Sequence, residues 1–273
     1  MSWCYAYKVE NYRNLQNLAI PTRELILRMN HRASSSHIGS SYSVLDLLIC
    51  IYSYVDMNPL NKIILSKGHA AAAFYAVLSA FNRISDDLIG VYCKDGEKYA
   101  GHVSHLVHPD ITLSTGSLGH GLPYGAGIAL SKKESRETEK VYVIMSDGEM
   151  DEGTTWESAL FANHFNLNNL IVVVDRNRLQ SLTTTEETIK LEPLLDKWEA
   201  FGWQTYEING HSYSEIMNLL ESINDKQLKP VCIIANTIKG FGISFMENSV
   251  KWHYKSPDDN ELRLGISELE NNS

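Results

Sequence analysis

Residues 141–180, VYVIMSDGEMDEGTTWESALFANHFNLNNLIVVVDRNRLQ, decide the fold. The stretch divides into strand, acidic turn, helix, strand and polar turn. Residues 141–145 are an apolar run of β-forming type, and Ser146-Asp147-Gly148-Glu149 breaks it. Trp156, Ala159, Leu160 and Phe165 recur at helical spacing within 154–165. Residues 170–174 form a second buried-type strand, closed by Asp175-Arg176-Asn177. Two apolar strands around a crossover helix make a βαβ unit, so the strands run parallel. Ligands of such sheets collect at the carboxyl ends of the strands. Asp147 and Asn177 both stand at such ends and each offers a hard oxygen, which suits Mg²⁺ sharing its other positions with a phosphate.

The rest of the chain extends the pattern. It has 273 residues, a hydrophobic fraction of 44% and a formal charge of −9. The acidic balance argues against a nucleic-acid partner, which calls for a basic face. No run of eighteen apolar residues predicts a membrane span, and residues 1–12 lack the basic start and apolar core of a signal peptide. Cys4, Cys50, Cys93 and Cys232 are scattered without a CxxC, which predicts reduced, mostly buried thiols and a cytoplasmic location.

Leu15, Leu18, Thr22, Leu25, Ile26 and Met29 mark one face of an N-terminal helix. Residues 33–41, small and polar, predict a loop holding His37, and a helix over 44–54 follows with Ser43 as its N-cap. Asn58-Pro59 turns the chain; 63–65 is a strand with Ser66-Lys67-Gly68-His69 at its carboxyl end, and 70–81 is a helix. Ser85-Asp86-Asp87 caps another short helix. Residues 94–115 lack periodicity and hold His102, His105 and His108; long irregular loops in compact domains are usually functional or mobile. Glycines at 116, 119 and 121 lead into a helix over 122–131, an arrangement that admits close backbone approach to an anion. Past residue 180 come an exposed loop (181–190), a helix over 191–201 with Pro193 in its first turn, a strand over 203–208, a helix over 213–223, a strand over 231–236 and a last helix over 261–270, after which the end frays. The whole predicts one doubly wound α/β domain spanning 1–273: a mostly parallel sheet with helices on both faces.

The ordered set of motifs resembles the N-terminal, diphosphate-binding part of transketolase over nearly the whole chain. The motifs are SSHIGSS around His37, LSKGHA around His69, Gly101-His102, TGSLGHG at 115–121, Asp147-Gly148 with Asn177, and KGFGISFMEN leading to Trp252-His253. Ser146 replaces the first glycine of the family's Gly-Asp-Gly turn, and His120 stands where the family commonly has Gln. The resemblance implies thiamine diphosphate and a divalent metal, Mg²⁺ or Ca²⁺, ligated by Asp147, Asn177 and the carbonyl of Leu179. It places Gly148, Glu149, His69 and His253 at the diphosphate, with His253 also near substrate. His37 and His102 would face the reacting carbon and the sugar hydroxyls, with His108-Pro109 competing for the role of His102. Gly116, Ser117 and Leu118 would lie against the aminopyrimidine. Glu152 and Glu157 match two acidic residues that join the active sites of a dimer through a buried, proton-sharing network.

The resemblance also implies what must come from elsewhere. The glutamate that activates the cofactor belongs to a pyrimidine-binding domain, absent here. The chain is therefore expected to be the N-terminal subunit of a split transketolase, in an α₂β₂ assembly with a C-terminal subunit, transferring a two-carbon ketol unit from a ketose to an aldehyde. A specialised enzyme for a nucleotide-linked or unusual sugar, with Tyr254 and His120 as departures near the substrate, is the first alternative. The others are the α-chain of a 2-oxo acid dehydrogenase, a deoxyxylulose-phosphate synthase and an inactive scaffold.

Overall fold

A computed structural model describes residues 2–56, 60–223 and 227–271, with side chains from 12 onward except that of 56. The turn expected at Asn58-Pro59, the Cys4 thiol and the fraying expected of Asn272 and Ser273 lie outside the described residues. Five strands, β1 (Lys62–Leu65), β2 (Val141–Ser146), β3 (Leu170–Arg176), β4 (Gln204–Asn209) and β5 (Val231–Asn236), form one sheet in the order β1-β2-β3-β5-β4. Every pairing is parallel. The register aligns Ser146 with Asp175 and Arg176 with Asn236, so the polar residues that end β2, β3 and β5 emerge at one edge.

Ten helices surround the sheet among the described residues: α1 (Ser2–Ala33), α2 (Ile38–Asp56), α3 (Ala71–Ala80), α4 (Leu88–Val91), α5 (Gly121–Glu134), α6 (Gly153–His164), α7 (Thr185–Thr188), α8 (Leu194–Ala200), α9 (Tyr213–Ser222) and α10 (Asp259–Asn271). The strands alternate their side chains between two cores. Tyr142, Ile144, Ile171, Val173 and Ile233 pack with α1, α2, α3 and α9. Val141, Val143, Met145, Val172, Val174 and Ile234 pack with α5, α6 and α8. Burial on both faces explains why β2, β3 and β5 read as continuous apolar runs rather than as alternating ones. The molecule is a doubly wound α/β fold.

Several boundaries differ from expectation. The loop expected over 33–41 is helical from Ile38 onward, because Gly39, Ser40 and Ser41 are buried where α2 crosses close to its neighbours. A Cβ on Gly39 would stand 3.1 Å from Lys239 and 3.2 Å from the Trp252 carbonyl. Ser43 is thus no N-cap but sits inside α2. Pro193 occupies the N-cap of α8 rather than its first turn. The exposed loop at 181–190 contains α7, held by a reciprocal Thr184–Glu187 capping box. On α6 only Ala159 of the expected apolar face is fully buried, while Leu160 and Phe165 are exposed. Cys50 and Cys232 are buried free thiols, whereas Cys93 is exposed. Residues 38–55 of α2 are long and apolar enough to cross a membrane by composition, but 89% of that span is buried inside the fold.

Candidate active site

The strand ends are tied together by one buried polar brace. Lys67, just past β1, donates from Nζ to Asp175 Oδ2 and to the Ser40 carbonyl at 3.2 Å. Asp175, near the end of β3, also accepts from Ser43 Oγ on α2 at 2.6 Å and from Thr237 Oγ1 after β5. Asn177 Nδ2 donates to the same Ser43 hydroxyl at 3.3 Å. Both charged side chains are fully buried. Burial alone would raise the Asp175 carboxyl, but the adjacent Lys67 ammonium and the hydroxyl donors hold it below the usual carboxylate range. Neither Lys67 nor Asp175 has an assigned role in the motifs. Their signal in the sequence is a charged residue at the carboxyl end of an otherwise apolar strand.

Above the brace lies a cleft of about 320 Å³, within the range of small-molecule sites. His37, His69, His102 and His253 line it, with Asp147, Gly148, Asn177, Leu179, Gly116 and Leu118. The His37 ring is the hub, its centroid 5.5 Å from His69, 5.7 Å from His102 and 5.0 Å from His253. His37 has a φ of 71°, uncommon for a residue with a side chain, and its N–H donates to the His253 carbonyl at 2.8 Å. Burial, reinforced by His102 and two lysines, lowers His37 to about 4. Burial and Lys239 lower His253 to about 3. Burial likewise depresses His69 and His102. Near neutral pH each ring is therefore uncharged and offers one donor and one acceptor. Between the competing histidines, His102 faces the cleft. His108 instead accepts from the Asp110 N–H and lies 3.1 Å from the Arg83 carbonyl, and His105 is bound to Ser114.

Asp147, Asn177 and Leu179 converge on the same wall. Asp147 accepts from the Arg178 N–H at 2.6 Å, the Gly148 N–H at 2.9 Å and Arg176 Nη1 at 3.2 Å. Burial first, and Asp175 second, push its carboxyl above the usual range, against the pull of Arg176. A carboxylate held in surplus, an amide and a backbone carbonyl make an all-oxygen donor set that fits a hard divalent cation. Among the described residues no three His, Cys, Asp or Glu side chains gather as a metal cluster. The set is thus one that leaves positions open for oxygens of a bound molecule.

Other expected site residues stand apart. Glu149 is fully buried and lines no part of the cleft. Its carboxylate is used up by Ser66 Oγ and by the N–H groups of Ser146 and Gly119, both at 3.0 Å. It positions the turn after β2 against the glycine loop rather than contacting the cleft by side chain. Gly119 has a φ of +77°, and a Cβ there would stand 2.6 Å from Glu152 Cβ, so this corner requires glycine. Ser117 and His120 are exposed and outside the cleft lining. Glu152 is on the cleft rim and Glu157 on the outer face of α6; both are exposed in the single chain, so no buried network joins them within it.

Two residues without a motif signal of their own complete the site. Lys239, 1% exposed, reaches His253 Nδ1 at 2.9 Å and the carbonyls of Leu179 and Gln180, each at 3.3 Å. Burial, then Lys67, lowers its pKa to about 8. An ammonium has no acceptor, so His253 Nδ1 must accept, and the ring proton is on Nε2. The backbone beside Lys239 is pinned by His211, whose Nε2 accepts from the Ile238 N–H at 2.9 Å and whose ring stacks on Phe241 at 3.6 Å. His211 Nδ1 lies 2.7 Å from Asp46, which also accepts from Arg23 at 2.6 Å and Tyr213 at 2.8 Å.

Known proteins share the sequence and the fold. The family model "Transketolase, thiamine diphosphate binding domain" matches residues 16–269. One of the two chains of an apulose-4-phosphate transketolase from Actinobacillus succinogenes, named as a subunit of it, is 38% identical over 268 residues, covering 95% of this chain and 97% of that protein. A 6-deoxy-6-sulfo-D-fructose transketolase subunit of Clostridium sp. (strain MSTE9) is 34% identical, covering 96% and 98%. The crystal structure of transketolase from Campylobacter jejuni superposes with a TM-score of 0.86 at 27% identity. That match covers 94% of this chain but only 42% of the longer one.

Proposed function

This chain belongs to the transketolase family, in its thiamine diphosphate-binding domain, and on that premise we propose that it is the diphosphate-binding subunit of a two-chain transketolase. The observation that carries the proposal is the meeting of four uncharged histidines with Asp147, Asn177 and Leu179 in one cleft at the strand ends. The reaction is transfer of a two-carbon ketol unit from a ketose donor to an aldehyde acceptor. Thiamine diphosphate, when bound, supplies the carbon nucleophile. Asp147, Asn177 and the Leu179 carbonyl hold Mg²⁺ or Ca²⁺ against its diphosphate. His69 and the Nε2–H of His253 donate to anionic oxygens. His37 and His102, being neutral, exchange protons with substrate hydroxyls and stabilise oxyanion charge. Residues 1–273 act as a single domain in this assignment.

A C-terminal subunit with the pyrimidine-binding domain supplies the activating glutamate, in an α₂β₂ assembly. Support comes from relatives of matching length named as subunits. The apolar residues Tyr124, Leu160, Phe161 and Phe165, exposed on the packed helices α5 and α6, add to it. Glu152 and Glu157 on α6 are placed to enter that interface. The free thiols of Cys50, Cys93 and Cys232 support a cytoplasmic location. A specialised sugar substrate is the second reading, favoured by relatives named for apulose 4-phosphate and sulfofructose.

Calorimetry on the chain reconstituted with its partner tests the assignment. Thiamine diphosphate is expected to bind only with divalent metal, and Asp147→Ala is expected to abolish that dependence. Metal-independent binding, or unchanged affinity in the variant, refutes it. A panel of ketose phosphates and sulfonated ketoses then separates ordinary from specialised substrates.

A further inference from the structure

The buried cations around the cleft are matched to carboxylates with one exception. Lys67 pairs with Asp175, Arg23 with Asp46, and Arg176 with Asp147, Glu186 and Glu192. Lys239 is as deeply buried, yet among the described residues no carboxylate lies within ion-pair distance of it. Its Nζ has only two long carbonyl contacts at 3.3 Å and the neutral ring of His253. An ammonium removed from water without a counter-charge is costly. All three of its partner residues, Leu179, Gln180 and His253, line the cleft, so the unmatched charge stands against the cleft wall. Gly39 lets α2 close over the lysine stem, since any Cβ there would press on it at 3.1 Å. The stem is therefore held in place rather than free to swing out to solvent.

We propose that Lys239 is a diphosphate-binding residue, whose ammonium neutralises the charge that one divalent metal leaves on the cofactor's diphosphate. This deepens the functional assignment above and rests on it. Lys239 has a second effect through His253: by occupying Nδ1 it fixes the tautomer and turns the Nε2–H outward for the same anion. The site then holds the diphosphate between the metal on the Asp147 side and an ammonium on the His253 side. A purely structural lysine, bridging the 179–180 backbone to His253, is the competing explanation, and it predicts the opposite change in stability.

The test measures affinity and melting of Lys239→Met in the reconstituted pair with Mg²⁺. Thiamine diphosphate and inorganic pyrophosphate are each expected to bind about 10- to 100-fold more weakly, as for loss of a charge-assisted hydrogen bond. Unphosphorylated thiamine should bind as in the wild type. Without ligand, the variant should melt at a higher temperature, because an unmatched buried charge is gone. The proposal is overturned if thiamine diphosphate binds within twofold of wild type, if thiamine is weakened equally, or if the ligand-free variant melts lower with an unchanged cofactor-induced shift. Lys239→Gln provides the same measurements should the methionine variant not fold. Failure of the wild type itself to bind thiamine diphosphate with metal would instead sink the underlying functional assignment.

Discussion

Replacing Lys67 with Met removes one half of the buried brace and leaves the other half charged. Lys67 and Asp175 are both fully buried, so neither has water to fall back on. Breaking such a pair from one side costs about 3–5 kcal/mol, mostly because the remaining charge is left unmatched. Domains of this kind have a net stability of about 5–15 kcal/mol, so the loss is a third or more of the total. Asp175→Asn should cost a similar amount by stranding the ammonium. The double variant should be much milder, about 1–2 kcal/mol, since only hydrogen bonds to Ser40, Ser43 and Thr237 are disturbed. Urea unfolding followed by tryptophan fluorescence gives all three values and hence the coupling energy. A coupling of at least about 3 kcal/mol is expected from that cycle. Additive costs, or a Lys67→Met loss below about 1 kcal/mol, a value typical of exposed pairs, would show that the brace is not a buried ion pair in solution.

Three further outcomes are expected. Gly68→Ala would place a Cβ 2.6 Å from the carbonyl carbon and Oγ1 of Thr115, so the segment leading to Gly116 must move; calorimetric melting should show a loss of about 1–3 kcal/mol, and an unchanged melting temperature would contradict the packing. Asp46→Asn strands the buried Arg23 guanidinium and should cost about 3–5 kcal/mol in urea unfolding. The Asp46 carboxyl is held below its usual range despite burial, by Arg23 and His211, so its contribution is present above the unfolded carboxylate range and is lost as pH falls through the folded value. His37 and His253 lie lower in the folded chain, at about 4 and about 3, than the ordinary 6.5. The unfolded chain therefore takes up protons first, and stability should decline as pH falls from about 6.5 towards the folded values and level off below them; a flat melting temperature between pH 6.5 and 4 would refute the placement of these rings.

The βαβ unit, the strands and the strand-end position of the metal-type oxygens were legible because each rests on a local pattern. Residues 231–236 match β5 to the residue, since an apolar run bounded by polar turns leaves little freedom. The start of α2 was not legible. Gly39, Ser40 and Ser41 look like a loop in sequence, and only the crossing of α2 with the 239–252 segment makes small buried residues a helical requirement. Lys67, Lys239 and Asp46 were also opaque, because a buried charge is defined by partners 23 to 165 positions away. Glu149 shows the reverse failure: its place beside Asp147 suggested contact with a ligand, yet its carboxylate turns inward to hold Ser66 and Gly119.

The bond from the His37 N–H to the His253 carbonyl spans 216 positions of chain and closes the cleft between an early segment and a late one. During synthesis, the wall that carries His37 must wait for residue 253 to leave the ribosome. Half-made chains can build the apolar sheet but hold an incomplete binding surface, so cofactor capture is a late event that acts on finished molecules. Any nascent chain stalled before that point would be invisible to the cofactor, and loading with it would report that translation had passed His253.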